Sequence, residues 1–189
     1  TRIIATTNDL PTFIRFGSTD TSGEGDYTKQ HSLLEVHEIN IDNVTDTSLM
    51  FNQCKNLARI NVNFDTSLVN NMKGMFYNCS SLTSLDLSNF NTSSVANMAG
   101  MFYNCKSLTS LDVSSFVTSQ VTNMNTMFYN CTKLTSLNLS SFNTSQVNNM
   151  YTMFSGCQLL TSLDVSNFNT SQVTTMDYMF QNCSKLTSL

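Results

Sequence analysis

The residues best suited to chemistry are six cysteines at regular spacing. Neighbouring cysteines lie 26 residues apart, except that the first precedes the second by 25 residues. A metal site needs ligands that converge on one ion, commonly in C-x-x-C pairs, and the sequence has no such pair. We therefore predict a column of reduced, buried cysteines that act as small apolar residues. They are Cys54, Cys79, Cys105, Cys131, Cys157 and Cys183.

Two histidines are the other candidates for catalysis. His31 and His37 are six residues apart, and no cysteine lies near them in the sequence. The sequence also lacks a nucleophile elbow, a phosphate loop and an H-E-x-x-H motif. Residues 20–26 are acidic but do not have the ligand spacing of a calcium loop. We predict that the chain is not an enzyme and that it binds no metal and no cofactor.

The cysteine spacing belongs to a longer internal repeat. The phrase MFYNCKSLTSLDVSSFVTSQVTNM, which begins at Met101, recurs in closely similar form from Met75, Met127 and Met153. A fixed period between 20 and 50 residues is typical of a solenoid, in which each unit is stable only when it is stacked on its neighbours. Stacked cysteines would lie ~4.8 Å apart with parallel Cβ vectors, so a disulfide between them would need distortion.

Within one unit, two segments have distinct patterns. Leu82, Leu85 and Leu87 follow the pattern L-x-x-L-x-L, which ends in a half-buried strand. The stripe from Val95 to Cys105 has apolar residues every three or four positions, which indicates a helical or 3₁₀ segment, and a second short strand is the alternative for residues 95–98. We expect one phenylalanine per unit to fill the interior beside the cysteines: Phe76, Phe102, Phe128, Phe154 and Phe180.

The L-x-x-L-x-L motif at this period resembles a leucine-rich repeat. The version with M-F-x-x-C before the strand and S-x-F-x-T-S-x-V-x-x-M after it resembles the BspA-like repeats of bacterial surface proteins, over residues 33–189. The resemblance implies an α/β solenoid with a right-handed coil, a parallel sheet on one face, and a role in surface adhesion. The usual asparagine of the leucine-rich repeat is replaced by phenylalanine at Phe90 and its equivalents, so we expect no asparagine ladder at that position.

Composition and charge indicate how the chain is divided and which classes of partner are disfavoured. We predict an N-terminal cap with short strands and an acidic loop over residues 1–32, and a solenoid of about six coils over 33–189 that is cut short at its C-terminus and belongs to a longer chain. The net charge is −4 and the basic residues are scattered, which argues against nucleic acid as a partner. No run of 18 apolar residues occurs, so this segment should not insert into a membrane.

The outward positions of the strands form a polar column that is the candidate binding surface. Alternation with buried residues places these side chains on the outside of the sheet. The column is either a hydrated face that resists aggregation or a recognition surface for protein or glycan. Its predicted members are Asp86, Asp112, Asn138 and Asp164, with the flanking Ser84, Ser110, Ser136 and Ser162.

The predicted function is a non-catalytic binding module of a bacterial surface protein. It would mediate adhesion or protein–protein recognition at the cell surface or after secretion, by binding a protein or glycan on a host or neighbouring cell. The alternative is a host-recognition module of a phage tail, and hence of a virion, or of another secreted assembly.

Overall fold

The computed structural model describes three two-residue strands near the N-terminus together with residues 43–62 and 64–189. The predictions for His31, His37 and the acidic loop of residues 20–26 fall outside the described residues, as does most of the predicted cap over residues 1–32. The strands of the described residues are β1 (Thr6–Thr7), β2 (Glu35–Val36), β3 (Asn40–Ile41), β4 (Arg59–Asn61) and β5 (Ser84–Asp86).

All strand pairs are parallel, as a solenoid requires. β1 pairs with β3, and β2, β4 and β5 form a second sheet in that order. Ile60 pairs with Leu85, so each residue of β4 lies opposite its equivalent one repeat later. The L-x-x-L-x-L segments of successive repeats therefore stack in register, and the predicted repeat solenoid is confirmed.

The leucine face is less regular than predicted in the coils that follow β5. No backbone hydrogen bond joins residues 110–113 to residues 136–139. The nearest such bond on this face runs from the Thr135 amide to the Thr109 carbonyl, at 3.2 Å. Pairing returns only at the last coil, with a bridge between Ser162 and Ser188. The predicted parallel sheet on one face is therefore present at β2, β4 and β5 but is not continued by backbone pairing through the middle coils.

The opposite side of each coil carries the continuous ladder of hydrogen bonds. Single parallel bridges link Asn71, Asn97, Asn123, Asn149 and Thr175 in one row. After each of the four asparagines, alternate amides donate to the next coil, as the Phe76 amide donates to the Met101 carbonyl at 2.9 Å. The remaining amides donate to carbonyls of their own coil and so close turns, as the Met75 amide does to the Met72 carbonyl at 3.2 Å.

The helical prediction for this segment is not confirmed, because the described residues contain strands, bridges and turns but no helix. The alternative of a second short strand agrees better with the bridge at Asn97. Nor do the described residues include any helix that is long and apolar enough to span a membrane.

Residues in the left-handed region let the chain make two successive turns on this side. Gly74 has a φ of 60° and Asn78 a φ of 61°, each as the third residue of a hydrogen-bonded turn. Glycine and asparagine are the residue types that reach this region at least cost. The Gly74 position is occupied in later coils by Thr126 and Thr152, with φ values of 53° and 49°, which are unfavourable for a β-branched side chain.

The core lies between the two sides and consists of columns of identical side chains. Phe76, Phe102, Phe128 and Phe154 are fully buried, with near-parallel rings 5.6–5.8 Å apart. Phe180, at the end of the described column, is only partly buried. Burial of these aromatic rings supplies a large apolar contribution that a single coil could not obtain alone.

Candidate binding surfaces

The cysteine column is buried, and it is also part of the hydrogen-bond network. All six thiols are free, five are buried and Cys183 is only partly buried. The Cys105 Sγ–H donates to the Phe76 carbonyl of the preceding coil at 3.2 Å. The thiols of Cys79, Cys131, Cys157 and Cys183 do the same to their own preceding coils. The expectation that all six would be buried holds for five of them, whereas Cys183 is only partly buried.

Burial disfavours the thiolate form of these cysteines. Desolvation raises the pKa of both Cys54 and Cys131 to about 12. It also raises the pKa values of the other four cysteines. Because the thiolate is the nucleophile and the metal ligand, a thiol that stays protonated is a poor candidate for either role. Among the described residues, no group of three histidine, cysteine or acidic side chains converges on a common point.

On the leucine face, the structure places the predicted polar column at the surface. Asp86, Asp112, Asn138 and Asp164 are exposed, as are their flanking serines Ser84, Ser110, Ser136 and Ser162. Each column member accepts a hydrogen bond at its Oδ1 from the amide two residues later, at 2.9–3.1 Å. This Asx turn holds the side chain against its own backbone.

The same turns keep the carboxylates ionised. Hydrogen bonds from the amide and hydroxyl of Ser88 lower the pKa of Asp86. The hydroxyl and amide of Ser114 lower the pKa of Asp112, and those of Ser166 lower the pKa of Asp164. The face therefore carries a row of fixed negative charges interrupted by the neutral Asn138.

Two small cavities open on this face between successive coils. One, of about 190 Å³, lies between the last two full leucine segments and is lined in part by Asn138, Ser140 and Asp164. The other, of about 270 Å³, lies one coil further on beside Asp164 and Ser188. Polar groups of the column thus line concave spaces of side-chain size.

A column of buried threonines, one per coil, bonds successive coils together at the bend between the leucine face and the turn side. The buried Thr118 donates its Oγ1 hydrogen to the Asn143 carbonyl at 2.9 Å and accepts from the Asn143 amide at 2.8 Å. Thr66, Thr92 and Thr144 make the same pair of bonds with the coil that follows each of them. The burial of this threonine was not identified from the sequence alone. The signal was a threonine two residues after the phenylalanine in every coil.

A tyrosine and asparagine surface on the turn side was also missed. The rings of Tyr77, Tyr103 and Tyr129 stack with centroids 4.2 and 4.6 Å apart. Beside them, Asn104 donates its Nδ2 hydrogen to Asn78 Oδ1 at 2.7 Å, and Asn130 donates to Asn104 at the same distance. Partial burial, with a smaller contribution from Tyr103, raises the pKa of Tyr77 to about 12. The M-F-Y-N motif, which occurs three times at the repeat period, was the sequence signal for this surface.

Comparison with known proteins agrees with this architecture. Residues 25–136 and 109–188 match the family described as Mycoplasma protein of unknown function, DUF285. The chain belongs to this family. The crystal structure of a T. pallidum leucine-rich-repeat protein, TpLRR, is similar with a TM-score of 0.51 and 20% identity, over 82% of this chain and 68% of that one. No curated protein sequence matches the chain.

The comparisons therefore show a leucine-rich-repeat-like protein of the DUF285 family. A fold of this kind is typical of protein-interaction modules, in which an extended surface is presented by a rigid stack of repeats. The thiols buried within the stack are in keeping with a structural role.

Proposed function

We propose that this chain is a non-catalytic binding module of a bacterial surface protein with BspA-like repeats in a right-handed coil. It binds a protein or glycan of a host or neighbouring cell through its leucine face. The observation that carries the proposal is the exposed row of Asp86, Asp112, Asn138 and Asp164, which repeats once per coil and whose last two members line a small cavity.

Two physical features favour binding on this face. The Asx turns fix the column side chains before a partner arrives, so less conformational entropy is lost on association. The flanking serines are small, which leaves the backbone accessible and adds hydrogen-bond donors and acceptors without bulk. Because the carboxylates are ionised, the partner should present cationic groups or hydroxyl donors at the coil spacing.

A triple substitution tests the proposal. The variant Asp112→Ala, Asn138→Ala, Asp164→Ala removes three neighbouring members of the column, and exposed polar changes normally alter stability little. The parent chain, immobilised, is first used to capture its partner from extracts of host-cell and bacterial surfaces. We expect the affinity of the triple variant for that partner to fall at least tenfold, about 1.4 kcal/mol.

The matched control changes three exposed side chains that lie outside the column, Lys106→Ala, Lys133→Ala and Lys185→Ala. This control should bind as the parent does. If the triple variant stays folded and retains the parent's affinity, the leucine face is not the binding site.

A further inference from the structure

Three tyrosines of the turn side form a stack, which we call the tyrosine column, and the proposed binding face does not use it. The rings of Tyr77 and Tyr103 have centroids 4.2 Å apart and an interplanar angle of 2°. Those of Tyr103 and Tyr129 are 4.6 Å apart at 10°. All three residues are only partly buried. Phenol groups of neighbouring coils are therefore held face to face within reach of solvent.

Hydrogen bonds next to the tyrosines fix this spacing. The Asn78 amide donates to the Tyr103 carbonyl at 2.7 Å, and the Asn104 amide donates to the Tyr129 carbonyl at 2.8 Å. The Asn104 side chain also donates to Asn78 Oδ1 at 2.7 Å. The ring spacing is close to the ~4.8 Å separation of parallel chains, so equivalent atoms of adjacent rings lie near one another.

A second tyrosine pair offers a comparison within the same chain. Tyr151 and Tyr178 also lie on adjacent coils, but their rings are 6.1 Å apart and meet edge to face at 85°. They are 41% and 58% exposed, so an oxidant in solution reaches them more readily than it reaches the tyrosine column. Exposure and ring geometry therefore favour different pairs.

Stacked phenols are suited to oxidative coupling. A one-electron oxidant removes an electron and a proton from a tyrosine and leaves a radical that is shared between the oxygen and the ortho carbons of the ring. Two such radicals form a carbon–carbon bond between ortho carbons, and the hydrogens on those carbons then move to the oxygens. Two tyrosines thus lose two electrons and two protons and become one dityrosine. Hydrogen peroxide, consumed by a haem peroxidase, accepts them and becomes two molecules of water.

We infer that the tyrosine column is a site of oxidative cross-linking, at which a peroxidase-type oxidant joins Tyr103 to Tyr77 through their ortho carbons. Tyr77 is favoured over Tyr129 because its ring lies closer to that of Tyr103 and more nearly parallel to it. The rings must tilt out of parallel to form the bond, which their partial exposure allows. A pair that is held in contact reacts as if at very high concentration, so coupling within the chain outruns coupling between chains.

The product ties two adjacent coils together on the side that already carries the continuous ladder of hydrogen bonds. A cross-link that closes a loop in the unfolded chain lowers the entropy of that chain and so favours the folded state. The leucine face takes no part in the reaction, and the inference does not depend on the proposed function.

Oxidation of the dilute, purified chain tests the inference. A haem peroxidase is supplied with hydrogen peroxide, and free N-acetyltyrosine in a parallel reaction verifies that the oxidant couples phenols. Proteolytic cleavage before Asp86 and Asp112 places Tyr77, Tyr103 and Tyr129 in different peptides. Mass spectrometry then identifies each link as a pair of peptides that together lack two hydrogens.

The geometry sets the expected result. In protein that migrates as a monomer on a denaturing gel, we expect about tenfold more of the link between Tyr77 and Tyr103 than of that between Tyr151 and Tyr178. Tyr103→Phe keeps an aromatic ring in the stack but removes the phenol, and should abolish links within the column. The matched control Tyr151→Phe should leave the link between Tyr77 and Tyr103 unchanged. The cross-linked chain should also unfold at a higher urea concentration than the treated Tyr103→Phe variant.

The inference is overturned if N-acetyltyrosine is coupled while Tyr103 stays unlinked in the monomer. It is also overturned if dityrosine appears only in dimers, or at Tyr151 and Tyr178 in preference to the column, because exposure and not ring geometry would then decide the reaction. None of these outcomes bears on binding at the leucine face, so failure here is distinguishable from failure of the proposed function.

Discussion

The two sides of each coil are joined to their neighbours in different ways. On the turn side, alternate amides such as those of Gly100 and Phe102 bond the next coil at 2.8 and 2.9 Å. On the leucine face of the middle coils, residues 110–113 make no such bonds and small cavities open between the coils. We call the turn side the spine of the solenoid, because its backbone hydrogen bonds join every pair of successive described coils. The leucine face is free to vary in its polar side chains.

If the leucine face binds a partner as proposed above, this difference separates stability from recognition within one repeat. Backbone amides that are buried without a partner are costly, so the segment that lies deepest must satisfy them between coils. The leucine face can leave backbone groups to solvent. Its exposed aspartates and serines then remain available to a partner.

The largest expected effect tests whether the spine supports the fold. Phe128→Ala removes a fully buried ring that stacks on both Phe102 and Phe154. We expect it to destabilise the chain by about 3–5 kcal/mol, the usual range for a buried aromatic. Thermal and urea unfolding measure this loss.

The matched change on the other side is Leu137→Ala, next to the cavity of the leucine face. Leucine-to-alanine changes in cores cost about 2–5 kcal/mol, and we expect the lower end because solvent can reach this site. Equal losses of unfolding free energy in the two variants would show that the two sides contribute equally to stability.

A smaller effect is expected at the corner between the sides. Thr118→Val keeps the shape of the side chain but leaves the carbonyl and amide of Asn143 without their partner. Each unsatisfied buried group costs about 1–3 kcal/mol, so we expect a loss of about 2 kcal/mol or more in urea unfolding.

Two controls sharpen this result. Thr118→Ser retains the hydroxyl and should lose far less stability. Thr135→Val removes an exposed hydroxyl on the leucine face, which bonds the Thr109 carbonyl at 3.2 Å, and should change stability by less than about 0.5 kcal/mol. A Thr118→Val variant as stable as its serine counterpart would exclude a role for the hydroxyl.

One substitution should strengthen the spine. Thr152 is buried with a φ of 49°, and its hydroxyl has no hydrogen-bond partner. Thr152→Gly removes a left-handed β-branched residue and an unsatisfied group, and we expect a net stabilisation of about 1 kcal/mol after the entropic cost of glycine. A lower melting temperature for Thr152→Gly would show that the threonine methyl group contributes more by packing.

The smallest effect concerns the charges of the leucine face. Hydrogen bonds lower the folded-state pKa of Asp112 below its ordinary value of 3.8. The stabilisation from its ionised form is therefore present above that value and is lost as the pH falls through the lower, folded-state pKa. Asp112→Asn keeps an acceptor at the Oδ1 position but cannot titrate.

We lower the pH from about 4 through the folded-state pKa of Asp112. Over this interval we expect the melting temperature of the parent to fall slightly more than that of Asp112→Asn. Identical pH profiles for the two proteins would show that the Asx turn does not favour the ionised side chain.

Much of the fold could be predicted from the sequence because identical residues recur at a fixed period. The strand of Leu85 lies in register with Ile60, as the L-x-x-L-x-L pattern predicted. The helical interpretation of the stripe after Val95, one of two that the spacing left open, is not confirmed. Two successive turns with left-handed residues give apolar side chains nearly the same spacing as a helix. An asparagine such as Asn78, which allows a turn with a left-handed residue, was the sequence feature that distinguishes the turns from a helix.

The sequence by itself determined the repeat, the stacking of equivalent residues and the identity of each column, because these depend only on side-chain type and spacing. The tertiary structure alone decided which side of the coil carries the continuous ladder. Backbone amides and carbonyls are the same in every residue, so their pairing depends on how closely successive coils approach. It also decided that Thr118 is buried with its hydroxyl in that network while Thr135 is exposed, since both threonines look alike until the neighbouring coil is in place.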